Sequence, residues 1–200
     1  MPMSGSLIAV EGIDGAGKTT QARRLVDWLS EKGFKARYTA EPTRGAVGRI
    51  LRAMAFERDV DHRVEAVLFA ADRMIHLKRV ILPLLEKGFI VVSDRYLHSS
   101  LAYQSVTTGD QSWVEELNKY SRRPDVAILL DVDPAVGLER LKKRRKTRFE
   151  RIEFLRRVRE KYLEYVDRGE LLRIDAGRDS EIVFSEIAKA VETALEKKKL

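Results

Sequence analysis

Residues 12–19 form the glycine-rich loop that most tightly constrains how this chain folds. They read GIDGAGKT, which fits the pattern G-x-x-x-x-G-K-[ST]. A short apolar run, residues 7–10, precedes the loop and predicts a buried strand. From Thr20 onward, apolar residues recur at the spacing of an amphipathic helix. Because strand, loop and helix are the context that this motif requires, the sequence predicts a binding site for a nucleoside triphosphate.

Each part of this loop has an expected chemical role. The glycines let backbone N–H groups approach an anion closely, and the following helix presents its positive end to the same anion. Lys18 is expected to reach the outer phosphates, and the Thr19 hydroxyl to ligate Mg²⁺. The residues predicted to bind the triphosphate are Gly12, Ile13, Asp14, Gly15, Ala16, Gly17, Lys18, Thr19 and Thr20.

Composition narrows the class of protein further. The 200 residues, 44% apolar and 34% charged, suit one domain over residues 1–200 with a continuous core. Cysteine is absent, which excludes disulfides and thiolate chemistry. Since no apolar run approaches the roughly 18 residues of a membrane span and none resembles a leader, we expect a cytoplasmic protein without a membrane partner. The net charge of +7 favours anionic partners, either nucleic acid or phosphorylated small molecules.

Four further strands are predicted, at residues 36–40, 89–92, 126–130 and 171–174, and helical segments separate them, among them residues 49–56 and 99–106. This alternation predicts a three-layer α/β protein of the P-loop NTPase fold, with a five-stranded parallel sheet and helices on both faces. Such sheets bind ligands beyond the carboxyl ends of their strands, where the glycine-rich loop also falls.

The longest helical pattern covers residues 62–85, and Pro83 is expected to kink or interrupt it. Two of the three histidines, His62 and His76, are expected on the surface of this helix. The third, His98, follows a later strand, and no histidine is assigned a role.

The end of the strand near residue 92 indicates which kind of P-loop protein this is. It leads into Asp94-Arg95, with arginine where a motor ATPase would carry a water-activating glutamate. An arginine there suggests a second phosphate, hence phosphoryl transfer between two nucleotides. The basic run at residues 140–148 supports this interpretation, because two facing polyphosphates repel unless cations intervene. We therefore predict an arginine-rich lid over about residues 140–151.

Two alternatives remain open at this point. The phosphoryl acceptor could be any of several small phosphorylated molecules, such as different nucleoside monophosphates. The chain could also be a nucleic-acid-binding P-loop module that uses residues 140–148 as its basic patch. Phe149 is the one aromatic residue flanking that run, and the lack of interleaved stacking aromatics argues against nucleic acid.

Three motifs together make this chain resemble the thymidylate kinase family. They are VSDRYLHSSLAYQ at residues 92–104, FAADR at residues 69–73 and the loop GIDGAGKTTQ. The resemblance implies that ATP gives its γ-phosphoryl group to dTMP, making dTDP for dTTP biosynthesis with Mg²⁺ as cofactor. It also implies a homodimer that packs through helices such as that at residues 62–85.

The resemblance assigns a role to each part of a dTMP site. Asp14 matches the carboxylate that accepts a hydrogen bond from the sugar 3′-hydroxyl, and Phe69 the aromatic that stacks on thymine. Arg73 matches the arginine that reads the base, and Tyr103 the tyrosine that crowds the 2′ position. The residues implied to bind dTMP are Asp14, Glu41, Pro42, Arg49, Phe69, Arg73, Arg95, Ser99, Ser100, Tyr103 and Gln104.

The resemblance also implies which residues serve the transfer itself. Thr19 and Asp94 match the residues at the metal, and Arg95 matches the arginine that holds the acceptor phosphate. Gly15 stands where one subgroup of the family has a catalytic arginine, so the lid is expected to supply that charge. The implied catalytic residues are Lys18, Asp94, Arg95, Arg144, Arg145 and Arg148.

Overall fold

The computed structural model describes residues 5–57, 59–141 and 147–197, in which strands alternate with helices. The strands are β1 (Ser6–Glu11), β2 (Ala36–Ala40), β3 (Ile90–Asp94), β4 (Val126–Asp131) and β5 (Leu172–Asp175). The helices are α1 (Lys18–Glu31), α2 (Ala46–Met54), α3 (His62–His76), α4 (Leu82–Glu86), α5 (Leu97–Thr108), α6 (Gln111–Leu117), α7 (Pro134–Arg140), α8 (Ile152–Asp167) and α9 (Ser180–Lys197). Within these residues no helix is both long and apolar enough to cross a bilayer.

The five strands form one sheet in the order β2-β3-β1-β4-β5, and every pairing is parallel. All residues of β1 and β3 are buried. Strands covered on both faces need apolar side chains on both, which explains the apolar runs in the sequence. Helices surround the sheet, with α1 against β2 and β3 and α9 against β4 and β5. The predicted fold class is therefore confirmed.

The carboxyl ends of β1, β2 and β3 meet at one edge of the sheet. The backbone N–H of Glu41 donates to the Asp94 carbonyl at 3.1 Å, and that of Arg95 donates to the Val10 carbonyl at 3.0 Å. The Glu41-Pro42 peptide bond is cis. These contacts make the glycine-rich loop, the Glu41-Pro42 turn and the Asp94-Arg95 turn neighbours in space.

Helix α5 is buried on all sides, because α3, α6 and α8 pack around it. Its residues 97–106 are all buried, the polar ones included. A helix enclosed in this way needs no polar stripe, so its sequence shows no clear amphipathic pattern. Its buried polar side chains must therefore serve one another or an internal cavity.

The chain from residue 62 to residue 85 is helical, but its winding changes before Pro83. Helix α3 ends at His76, and a π-helical turn, Leu77–Ile81, links it to α4. Pro83 lies in the first turn of α4, where its missing N–H is tolerated. The expectation that His76 lies on the surface is wrong, since the residue is 3% exposed.

Candidate active site

The glycine-rich loop between β1 and α1 contains positions whose backbone conformation only glycine adopts readily. Gly12, Gly15 and Gly17 all have positive φ angles, which side-chain-bearing residues rarely adopt. A Cβ atom on Gly15 would lie 2.0 Å from the carbonyl oxygen of Gly137. The loop is thus pressed against α7, and its turns direct backbone N–H groups and the N-terminus of α1 toward one place.

Lys18 is the cation of this loop. Its ammonium group donates to the Ile13 carbonyl at 2.8 Å, and the residue is 7% exposed. Burial and then the positive charge of Arg95 lower the pKa of Lys18 to about 8. A buried ammonium near a second cation is stabilised by an anion, which the phosphates of a nucleotide would supply.

Thr19, Asp94 and Tyr38 meet beside the loop. The Thr19 hydroxyl donates to Asp94 Oδ2 at 2.5 Å, and the Tyr38 hydroxyl donates to the same oxygen at 3.1 Å. Burial and the charge of Asp94 raise the pKa of Tyr38 to about 12. Hydroxyl and carboxylate oxygens suit Mg²⁺, and the described residues contain no cluster of three or more His, Cys, Asp or Glu able to hold a metal alone. Thr19 and Asp94 therefore fit an ion that keeps water and phosphate ligands.

Arg95 connects the loop to α5. Its guanidinium donates to Asp14 Oδ1 at 2.7 Å, to the Gly12 carbonyl at 3.1 Å and to Ser99 Oγ at 3.2 Å. The same group lies 4.9 Å from the centre of the Tyr103 ring. Among the described residues Arg95 is the one non-glycine with a positive φ, 67°. The side chain thus stands at the border between the loop and the space beyond it.

A cavity of about 290 Å³ opens on the far side of Arg95. It lies between α2, α3 and α5. Ten of the eleven residues that the resemblance assigns to dTMP line it: Asp14, Glu41, Pro42, Phe69, Arg73, Arg95, Ser99, Ser100, Tyr103 and Gln104.

The eleventh of these residues, Arg49, does not line the cavity. It is exposed, and its guanidinium donates to the Arg44 carbonyl at 3.3 Å. Arg52, one turn further along α2, lines the cavity instead. The Arg52 guanidinium donates to the Pro42 carbonyl at 2.8 Å. The sequence pattern of α2 did not single out Arg52.

Arg73 is fixed in the wall of the cavity by four groups. Its guanidinium donates to Glu41 Oε2 at 3.0 Å, to Asn118 Oδ1 at 2.6 Å, to Ser100 Oγ at 2.9 Å and to the Tyr96 carbonyl at 3.0 Å. Sequence reasoning missed Asn118, whose one visible signal is that it is the only asparagine in the chain. These bonds hold the planar donor group of Arg73 rigid, as recognition of a flat base requires.

His76 extends this network. Its Nδ1 lies 2.9 Å from Glu41 Oε1 and its Nε2 lies 2.6 Å from Thr39 Oγ1. The ring therefore joins β2 to the carboxylate that holds Arg73, which is why it is buried rather than on the helix surface. No pattern in the local sequence separates such a histidine from a surface one.

Gln104 presents an unused donor to the same cavity. The side chain is 2% exposed, and its Nε2 has no hydrogen-bond partner within the described chain. A buried donor left unpaired costs about 1–3 kcal/mol. An acceptor on a bound ligand would remove this cost.

The described part of the lid contacts the cavity through Thr147 and Phe149. The Phe149 ring stands edge-on to that of Tyr103, with centroids 5.8 Å apart. Arg148 points elsewhere: it donates to the Met54 carbonyl at 2.7 Å and forms an ion pair with the fully buried Glu65. The other two predicted lid arginines, Arg144 and Arg145, lie outside the described residues.

The fold and the site together define a class of protein. A glycine-rich P-loop, a nearby hydroxyl–carboxylate pair and an arginine that borders a separate cavity are the parts of a P-loop kinase. Such a kinase transfers a phosphoryl group between two phosphorylated substrates.

Comparison with known proteins identifies the family. The thymidylate kinase sequence model matches residues 10–187. Three relatives, each named probable thymidylate kinase, come from Staphylothermus marinus (44% identical over 191 residues, 94% of this chain and 95% of the relative), Pyrococcus horikoshii (41% over 202 residues, 96% and 98%) and Archaeoglobus fulgidus (42% over 195 residues, 96% and 98%). The chain belongs to the thymidylate kinase family, as its motifs predicted. It is an ATP-dependent nucleotide kinase, and the activity of its family is the phosphorylation of dTMP.

Proposed function

We propose that ATP lies on the loop of residues 12–19, that dTMP occupies the 290 Å³ cavity, and that the γ-phosphoryl group passes between them to give dTDP for dTTP biosynthesis. The position of Arg95 carries this proposal. Its guanidinium bonds the Gly12 carbonyl of the loop and also lines the cavity. One cation can therefore serve both the donor and the acceptor phosphates.

The lining of the cavity suggests a pose for dTMP. Its phosphate faces Arg95 and Arg52, with Arg52 taking the role that the sequence gave to Arg49. The base stacks on Phe69 and accepts hydrogen bonds from the Arg73 guanidinium and the free Gln104 amide. The other lining residues complete the contacts: Asp14 takes the 3′-hydroxyl, Tyr103 blocks a 2′-hydroxyl, and Glu41, Pro42, Ser99 and Ser100 close the wall.

The transfer needs no general base in this proposal. The second pKa of a phosphate monoester is about 6, so the attacking oxygen is already anionic at neutral pH. Lys18, Arg95 and the lid arginines neutralise charge and align the reactants, which is the main work of such catalysts. Thr19 and Asp94 would hold Mg²⁺, which neutralises further charge when bound. Arg148 joins the catalytic set only if it leaves Glu65, so Arg144 and Arg145 remain the stronger candidates.

We also propose that residues 1–200 act as one kinase domain and that two copies form a homodimer. An exposed apolar stripe along α3 and the π-helical turn supports the dimer, because large unpartnered apolar surfaces mark interfaces. Its residues are Val64, Val67, Met74, Ile75 and Val80, each 39–52% exposed. The proposal includes no nucleic-acid or membrane partner and places the enzyme in the cytoplasm.

Initial rates with dTMP, dUMP, UMP and AMP as acceptors test this function. We expect dTMP to give the highest kcat/KM, and UMP to give a lower rate than dUMP because Tyr103 crowds the 2′ position. Lys18→Ala should abolish turnover, and Arg95→Ala should reduce kcat by about 100-fold or more while ATP binds nearly as before. Preference for a ribonucleotide, or normal kinetics of Arg95→Ala, would contradict the proposal.

The same preparations separate the enzyme from the nucleic-acid alternative. Tight, salt-dependent binding of oligonucleotides without any acceptor phosphorylation would favour a nucleic-acid-binding module. We expect phosphorylation of dTMP and no such binding.

A further inference from the structure

Glu11, the last residue of β1, has a fully buried carboxylate. No ion pair joins it to another of the described residues, although its charge influences the buried Lys18 ammonium. Burying a charge without a counter-ion is unfavourable unless hydrogen bonds compensate it. Its contacts should therefore reveal what the carboxylate does.

Three donors surround this carboxylate, and all belong to the start of α5. Glu11 Oε1 accepts the backbone N–H groups of Tyr96 at 3.1 Å and His98 at 3.2 Å. Glu11 Oε2 accepts the Ser99 hydroxyl at 2.6 Å. Helix α5 has no capping side chain of its own at its N-terminus. Glu11 thus caps this helix from another strand, where a negative charge also suits the helix dipole.

The residue just before this cap is Arg95. Its φ of 67° is a left-handed conformation that residues other than glycine rarely adopt. Two contacts flank the turn on its other side: the Arg95 N–H bonds the Val10 carbonyl at 3.0 Å, and the Ser93 hydroxyl bonds the Arg95 carbonyl at 2.7 Å. A strained turn persists only where its surroundings hold it, and Glu11 holds the residues that follow.

We infer that Glu11 is a positioning residue for phosphoryl transfer: by capping α5 through Tyr96, His98 and Ser99, it fixes the turn that aims Arg95 between the two nucleotides. This inference rests on the proposed role of Arg95. Glu11 itself touches neither nucleotide. The turn requires the length of the Glu11 side chain rather than its charge.

Two conservative variants separate reach from charge. Glu11→Gln keeps an oxygen at the same distance and loses the charge, whereas Glu11→Asp keeps the charge and withdraws it by one methylene. We expect Glu11→Asp to lose about 100-fold in kcat, as a misplaced catalytic group does. Glu11→Gln should stay within about tenfold of the parent, because a neutral acceptor makes the weaker hydrogen bond. The reverse order would overturn the inference.

Coupling to Arg95 is the second readout, since a merely structural role would not produce it. In the Arg95→Ala background, Glu11→Asp should lower kcat by less than about threefold, because both changes remove the same interaction. Losses that multiply would overturn the inference. Asp110→Ala is the control: Asp110 caps α6 through the Trp113 N–H at 3.1 Å, so this variant loses a helix cap and some stability but should keep kcat.

Amide hydrogen exchange tests the cap independently of activity. The Tyr96 and His98 amides should lose protection in Glu11→Asp and keep it in Glu11→Gln. If Arg95→Ala alone retained full kcat, the proposed role of Arg95 would fail, whereas unchanged protection in Glu11→Asp would overturn the cap itself.

Discussion

Lys18 shows how a residue suited to a ligand makes the ligand-free protein less stable. Its pKa falls to about 8 on folding, mainly through burial, while the unfolded chain keeps the ordinary value near 10.4. Between these two values the unfolded state binds more protons, so stability should rise as pH climbs through that window. Below about pH 8 the cost of burying the charge is present in full.

Replacing this charge should therefore stabilise the ligand-free protein while abolishing its activity. At pH 7 we expect Lys18→Met to raise the free energy of unfolding by about 2 kcal/mol, because the burial that lowers the pKa of Lys18 to about 8 costs roughly 3 kcal/mol, of which the lost hydrogen bond to the Ile13 carbonyl offsets about 1 kcal/mol. By pH 10 most of this gain should vanish. Urea unfolding at both pH values measures it, with the exposed Lys87→Met as control. A Lys18→Met protein less stable than the parent at pH 7 would contradict this account.

Helix α2 shows where local pattern misleads about a site. The sequence predicts a helix from residue 49, yet the helix begins at Ala46 and the cavity receives Arg52. The reason is a close contact: a Cβ atom on Gly48 would lie 1.9 Å from the Thr43 carbonyl oxygen. Gly48 and Arg52 are one turn apart on the same face of α2. The close contact therefore directs this face, and the Arg52 side chain on it, toward the loop that contains Thr43. Hydrophobic periodicity alone carries no information about this contact.

The sequence predicts a helix at residues 99–106, and helix α5 begins two residues earlier, at Leu97. The reason is that its cap comes from Glu11, far upstream in the chain. Start signals in a sequence are local, and a cap from another strand leaves none.

Helix α3 carries the apolar stripe that we propose as the dimer interface. Val67, 45% exposed, lies in this stripe, and Val67→Glu should place an unpaired charge in the interface and weaken dimerisation by 100-fold or more. Ile182→Glu is the matched control, since Ile182 is 49% exposed on α9. Sedimentation should show a dimer of 22.9 kDa chains for the parent and the control, and a monomer for Val67→Glu. A monomeric parent protein would contradict the proposed homodimer.

At the scale of the whole molecule, the sheet was predictable because each buried strand carries its own apolar run. The cavity lining was largely predictable as well, because the motifs at residues 69–73 and 92–104 place their side chains on α3 and α5. The hydrogen bonds and ion pairs that support the cavity wall were not predictable, since they join segments that are distant in the sequence. Examples are the contact of His76 with Glu41 and that of Arg148 with Glu65.

The central claim is that two nucleotides face each other across Arg95, and the fate of the γ-phosphate tests it most directly. ATP labelled in that phosphate is incubated with the enzyme, with and without dTMP, and labelled dTDP and inorganic phosphate are both quantified. We predict that dTMP draws the label into dTDP, one phosphate for each dTMP consumed, with little inorganic phosphate in either case. Label that appears as inorganic phosphate at the same rate with and without dTMP, and never in dTDP, would contradict the account.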